Sequence, residues 1–81
     1  RASSELGIRG YETLEAESVV ENYLDAAVMA KLETVTIIHG KGTGALRKAV
    51  HEILRRSKAV KSFRLGRYGE GEAGVTVVEL K

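Results

Sequence analysis

The 81-residue sequence predicts an α/β domain: a two-layer sandwich in the order β-α-β-α-β-β, with a four-stranded mixed sheet. Three observations carry this expectation. Two segments repeat apolar residues at helical spacing. Four short segments are β-branched or alternate apolar with polar residues. The helical and extended segments alternate along the first two thirds of the chain, as crossover units do.

Arg1–Ser4 reads as a tail or the end of a linker, and residues 5–81 as one domain. Leu6-Gly7-Ile8-Arg9 alternates and is closed by Gly10, as a short strand would be. Thr13 is placed to cap a helix, with Glu12, Glu15 and Glu17 near its positive end. Ala16, Val19, Val20, Tyr23, Leu24 and Ala27 then recur at helical spacing, which carries the helix to about Ala30. Val35-Thr36-Ile37-Ile38 is too short for a helix and reads as a buried strand ending at His39. Leu46, Ala49, Val50, Ile53 and Leu54 mark a second helix beginning just after Gly44. Val60–Leu65 is a third strand whose charges suit a sheet edge, and Val75–Leu80 is a fourth. Right-handed crossovers make the first three strands parallel. A short loop makes the fourth antiparallel to the third. The fourth is also the more apolar, so it belongs inside, giving the order 1-2-4-3.

Composition excludes several classes. The chain has no cysteine and no proline, so disulfides and thiolate zinc sites are absent. No apolar run nears the ~20 residues of a membrane helix, and no signal-peptide pattern opens the sequence. No membrane partner is expected, and a reducing, cytoplasmic setting is favoured. At this length only roughly 60–65% of the unfolded surface can be buried, enough for one thin core. The formal charge of +2 hides an asymmetry. Residues 1–38 carry three basic and seven acidic side chains, residues 39–67 nine and one, and residues 68–81 one and three. The basic middle is dense enough to meet a polyanion.

The glycines sharpen that expectation. Gly10, the Gly40-Gly42-Gly44 group and the Gly66–Gly74 group all follow the carboxyl ends of parallel strands, the edge where open α/β sheets bind ligands. In His39-Gly40-Lys41-Gly42-Thr43-Gly44, alternate glycines let backbone amides approach an anion ahead of a helix N-terminus. Lys41 adds a charge, Thr43 a hydroxyl, and Arg47 and Lys48 lie on the first turn of the helix. Gly42 separates Lys41 from Thr43, so this is not a nucleoside-triphosphate loop, and a nucleic-acid phosphodiester is expected instead. His39 can exchange a proton near neutral pH. His51, among Arg47, Lys48, Arg55 and Arg56, reads as a solvated residue, and Tyr68 as a base-stacking aromatic or an exposed loop residue.

The segment His39–Arg47 resembles the signature of the small MutS-related (Smr) domain, in the form found at the carboxyl terminus of type-two MutS proteins. The similarity runs from Leu6 to Leu80 and includes Leu6, Arg9, Gly10, Gly69–Gly71 and Gly74–Val78. It implies a fold similar to the carboxyl-terminal domain of translation initiation factor three. It also implies nucleic-acid binding with endonuclease activity in many members. The implied parent protein is a dimer with a MutS-like ATPase, tied to recombination suppression and DNA repair or to rescue of collided ribosomes. ATP would belong to those parent domains alone. One position departs: the family's first motif usually reads Leu-Asp-x-Arg or Leu-Asp-x-His, and Gly7 stands at the acidic position.

Without that carboxylate, Glu70 and Glu72 are the only acids expected at the edge, which is thin for a two-metal site. No metal ligands and no cofactor are therefore assigned, although a divalent metal stays open. The expected mechanism is acid–base and electrostatic. His39 moves a proton, and Lys41, Arg9 and the loop amides stabilise charge, with Gly40, Gly42, Thr43, Gly44, Arg47, Lys48 and Tyr68 binding the nucleic acid. The alternative is a non-catalytic module that docks on DNA, RNA or the ribosome. A protein-interaction domain is the third reading.

Overall fold

The computed structural model describes residues 3–81. Its elements are β1 (Glu5–Gly7), α1 (Thr13–Met29), β2 (Thr34–Ile38), α2 (Ala45–Arg56), β3 (Val60–Leu65), a short 3-10 turn (Glu72–Gly74) and β4 (Val75–Leu80). The sheet order is β1-β2-β4-β3. β1 is parallel to β2, and β4 runs antiparallel to both β2 and β3. The expected α/β architecture and strand order are therefore those observed.

The interior position of β4 follows from its residues. Val75-Thr76-Val77-Val78 and Leu80 are all buried, and only Glu79 is exposed. A strand apolar on both faces loses that benefit at an edge, whereas β3, with Lys61 and Ser62 exposed, tolerates one. Both helices cover one face of the sheet. α1 contributes Ala16, Val20, Leu24 and Ala27, and α2 contributes Val50, Ile53 and Leu54. These meet Ile8, Val35, Ile37, Val60, Val78 and Leu80 in a single core.

Several local features differ from the sequence expectation. Thr13 is the first residue of α1 rather than its cap; Glu12 holds that place without a side-chain hydrogen bond. β1 ends at Gly7, yet Ile8 still points inward and is fully buried. Ser3 and Ser4, read as part of the tail, are held by the domain: Thr36 N–H donates to the Ser4 carbonyl at 2.8 Å and the Tyr23 hydroxyl to that of Ser3 at 2.5 Å. Burial, and secondarily Glu5, raises the Tyr23 pKa. Arg1 and Ala2 lie outside the described residues. A register shift between Val60 and Ser62 interrupts the β3–β4 ladder.

The long β3–β4 loop folds back on the sheet. Gly71 has φ +111°, and a β-carbon at position 66 or 71 would lie 2.5 Å from a Val75 methyl. These glycines allow close approach of the backbone to Val75, which is 6% exposed although no helix covers its face. Glu70 pins the same loop. Its carboxylate accepts from Arg64 Nη1 at 2.8 Å, Arg64 Nη2 at 3.1 Å and the Arg67 N–H at 2.6 Å. The Arg64 bond, followed by the Arg67 amide, lowers the Glu70 pKa to about 2. Glu70, expected as one of two acids at the functional edge, has its carboxylate committed to holding the loop.

Candidate nucleic-acid interface

The segment between β2 and α2 is shaped from beneath. The Gly74 carbonyl accepts from His39 N–H at 3.1 Å and from Gly40 N–H at 2.8 Å. The start of β4 thus anchors the first two loop residues. Among the described residues, none of the next four N–H groups, at Lys41, Gly42, Thr43 and Gly44, has a backbone acceptor. Gly44 is the cap residue of α2 and has φ +90°, a left-handed conformation that a side chain would strain. The loop therefore presents four unused amide donors just ahead of the positive end of α2, the arrangement that receives an anion elsewhere. Gly40 differs from the expectation in one respect: its amide is taken by Gly74, so it contributes shape rather than a donor.

The cations converge on this loop. Arg9 arrives from the end of β1, and a β-carbon at position 40 would meet its Cγ at 3.1 Å. The Arg47 guanidinium lies over Gly44, where a β-carbon would come within 2.9 Å of Nη2. Lys41 is exposed and 3.8 Å from the Glu72 carboxylate. On the helix side, Tyr11, Glu12 and Thr13 form the opposite wall of a cleft whose other wall is His39–Arg47. That cleft shares Thr43, Gly44, Ala45 and Arg47 with a second one, which continues along α2 to Lys48, His51 and Arg55. On the other side of the loop, Arg9, Gly40 and Lys41 line a third cleft with Ile38, Gly71, Gly74 and Val75.

Two wall residues escaped the sequence reading. Tyr11 and Glu12 follow Gly10 directly, but nothing in their spacing links them to a loop thirty residues away. Glu12 is a further carboxylate at this edge, beyond the two expected. Among the described residues, no three His, Asp or Glu side chains gather as metal ligands would. At Gly7, φ is not positive, and no described residue comes within 4 Å of where a β-carbon would stand. Gly7 pairs with Ile38, which in turn pairs with Val75, so a side chain there would stand beside the third cleft. Tyr68 is 95% exposed on the β3–β4 loop and does not line these clefts.

The structure places His39 beneath the loop. It is 3% exposed. Its Nδ1–H donates to the Gly40 carbonyl at 2.9 Å, and its Nε2 is 2.8 Å from Thr76 Oγ1. His51, read as solvated, is instead half-buried. Its Nε2 lies 2.8 Å from the same hydroxyl, and its ring packs against Phe63 with centroids 4.8 Å apart. The helical pattern put His51 among basic residues, but its ring reaches Phe63 of β3 and Thr76 of β4 beneath α2.

Burial lowers the pKa of both rings, with Arg47 adding to the effect on His39 against the bond to the Gly40 carbonyl. His39, Arg55 and Arg47 add to it on His51. Unfolded histidine titrates near 6.5. Just below that value the unfolded chain takes up protons that the folded chain refuses, so stability falls as pH drops. A urea midpoint measured at pH 5 is therefore expected to lie below that at pH 7, and a His39→Gln, His51→Gln chain should show a smaller difference.

The comparisons with known proteins accord with this geometry. A family model described as the Smr domain matches residues 6–81. The chain belongs to the Smr domain family. It is 55% identical over 78 residues to the Endonuclease MutS2 of Clostridium tetani, and 59% identical over 76 residues to that of Caldicellulosiruptor bescii, covering 96% and 94% of this chain. It spans only 10% of the length of each. The crystal structure of the Smr domain of Thermus thermophilus MutS2 superposes with a TM-score of 0.93 at 48% identity, covering 95% of this chain and 96% of that one. YdaL, a stand-alone small MutS-related protein from Escherichia coli, shares the fold with a TM-score of 0.92 at 24% identity, covering 96% of this chain and 64% of that one. Among the described residues, no helix is long and apolar enough to cross a membrane.

Proposed function

We propose that this Smr domain binds the phosphodiester backbone of a nucleic acid at the loop between β2 and α2 and nicks it. The observation that carries the reading is the run of four N–H donors without a backbone acceptor at Lys41–Gly44, next to the N-terminus of α2 and framed by Arg9, Lys41 and Arg47. The relatives' name, Endonuclease MutS2, supports the same reaction class. The backbone would then follow the cleft along α2 past Lys48 and Arg55, with Tyr11 as a surface for a base.

In this reading Lys41, Arg9 and the loop amides stabilise charge on the pentacoordinate phosphorus. His39 moves the proton as an acid: protonated on both nitrogens, it exchanges the Gly40 carbonyl for the leaving oxygen and gives up its Nδ1 hydrogen. On RNA the 2′-hydroxyl is the nucleophile: it gives its proton to water, attacks phosphorus, and the 5′-oxygen leaves with the hydrogen from His39 Nδ1. DNA requires an activated water instead. The parent protein's part in recombination suppression or ribosome rescue, its dimerisation and its cytoplasmic location belong to this proposal too.

A second reading, a docking module without catalysis, draws on the burial of His39, whose two nitrogens are both engaged. The test is incubation with supercoiled DNA and with structured RNA, with and without a chelator, comparing the natural chain with Gly7→Asp. Nicking that survives the chelator is expected, and RNA carrying a single 2′-deoxy position should resist at that position. Binding without any cleavage by either chain selects the docking module. Five cations line the clefts beside α2 and the loop, so affinity should fall with a log–log salt slope of roughly −4, at about 0.7–0.9 per phosphate. A slope near zero removes both readings.

A further inference from the structure

The hydrogen bonds around Thr76 have one consistent direction. The Gly40 carbonyl can only accept, so the hydrogen of a neutral His39 ring is on Nδ1. Its Nε2 is then an acceptor, and the hydroxyl of Thr76, 2.8 Å away, donates to it. With that hydrogen committed, Thr76 Oγ1 can only accept from His51 Nε2, also at 2.8 Å. His51 therefore carries its hydrogen on Nε2, and its Nδ1 has no partner among the described residues. No buried side-chain nitrogen or oxygen among those residues lacks a partner, so that Nδ1 opens to solvent. It does so where His51 lines the cleft with Lys48 and Arg55. Thr76 itself is 0% exposed.

We infer that Thr76 and His51 are positioning residues for His39: they fix its tautomer and join its buried ring to the cleft along α2 by a one-proton relay. A proton arriving at His51 Nδ1 releases the Nε2 hydrogen to Thr76 Oγ1, and the hydroxyl hydrogen passes to His39 Nε2. One proton enters and one appears on His39; the reverse sequence returns it. The relay rests on the proposed proton role of His39, because the buried ring gives up its Nδ1 hydrogen as an acid only once a second proton has reached Nε2, and sheds the Nε2 hydrogen by the reverse path when Nδ1 is reprotonated. The charged groups facing the pair are Arg47 and Arg55 of α2, and the two rings face each other. From the sheet, Phe63 of β3 and Thr76 of β4 face them, and neither titrates. Two positive rings sharing one hydroxyl repel, so the relay holds a single extra proton at a time.

The test uses nitrogen-detected imidazole spectra of the free chain between pH 5 and 8, which needs no substrate. The natural chain should show His39 protonated at Nδ1 and His51 at Nε2 at pH 8. Thr76→Ser should keep both tautomers. Thr76→Val should give His51 a mixture and slow proton exchange at His39 by at least tenfold. His39 protonated at Nε2 in the natural chain overturns the inference without any variant. So does an unchanged exchange rate in Thr76→Val, or, should that variant not fold, in His51→Phe. Correct tautomers in a chain that cleaves nothing leave the relay standing and remove the nuclease reading. Cleavage by a chain with the opposite tautomers does the reverse.

Discussion

Replacing His39 with alanine is expected to slow phosphodiester cleavage by roughly 10²–10⁴-fold, the range supplied by a positioned acid or base. Affinity for the same nucleic acid should change much less. The reason is the division of labour in the site. In the proposed site the donors for an anion are the amides of Lys41–Gly44 and the cations Arg9, Lys41 and Arg47, and none of these is on the imidazole. The substitution has a structural cost as well. The Gly40 carbonyl loses its partner and Thr76 loses an acceptor, which costs about 1–3 kcal/mol where the groups stay buried. Cleavage rate, binding affinity and urea midpoint should therefore be measured on one preparation. A rate loss accompanied by an equal affinity loss would show that His39 only shapes the loop. An unchanged rate would place the proton transfer elsewhere.

Ile37→Ala is expected to lower stability by about 2–5 kcal/mol, the range for emptying a buried Ile or Leu position. Ile37 is 0% exposed, pairs with Leu6 on one side and Thr76 on the other, and sits at the centre of the single core. Domains are stable by roughly 0.05–0.15 kcal/mol per residue, so the loss is a large share of what this chain has. The thermal midpoint should drop by more than about 10 °C, since each kcal/mol moves a domain of this size by ~4–8 °C. Calorimetry decides the matter: a drop of under about 2 °C would mean that the neighbours collapse into the space. Because β2 leads straight into His39 and the loop, the same variant should lose nucleic-acid binding at the temperature where it unfolds and not before.

Much of the architecture was legible because it follows from local periodicity. Val50, Ile53 and Leu54 fall on one side of a helix whatever surrounds it. The place of β4 inside the sheet was legible too, because a strand apolar on both faces needs two neighbours. The loop was legible as a glycine-rich, basic segment at the mouth of a helix, and Gly44 indeed takes the left-handed conformation that such an entry requires. Tyr11 and Glu12 were not, since their role is set by contact with residues thirty positions away. His51 was read wrongly for a related cause: helical spacing gives the angle of a side chain around its own axis, and not the depth of the neighbouring sheet.

The amino-acid pattern by itself therefore determined the elements, their order in the sheet and the edge that carries the glycine-rich loop. Tertiary structure decided how that edge is wired. Gly74, just before β4, takes the N–H groups of His39 and Gly40, and the next four have no backbone acceptor among the described residues. Thr76, two residues on, brings the rings of His39 and His51 onto one hydroxyl. Hydrogen bonds across the sheet join residues separated by 25 and 37 positions, and their geometry depends on register and depth, which no local spacing encodes.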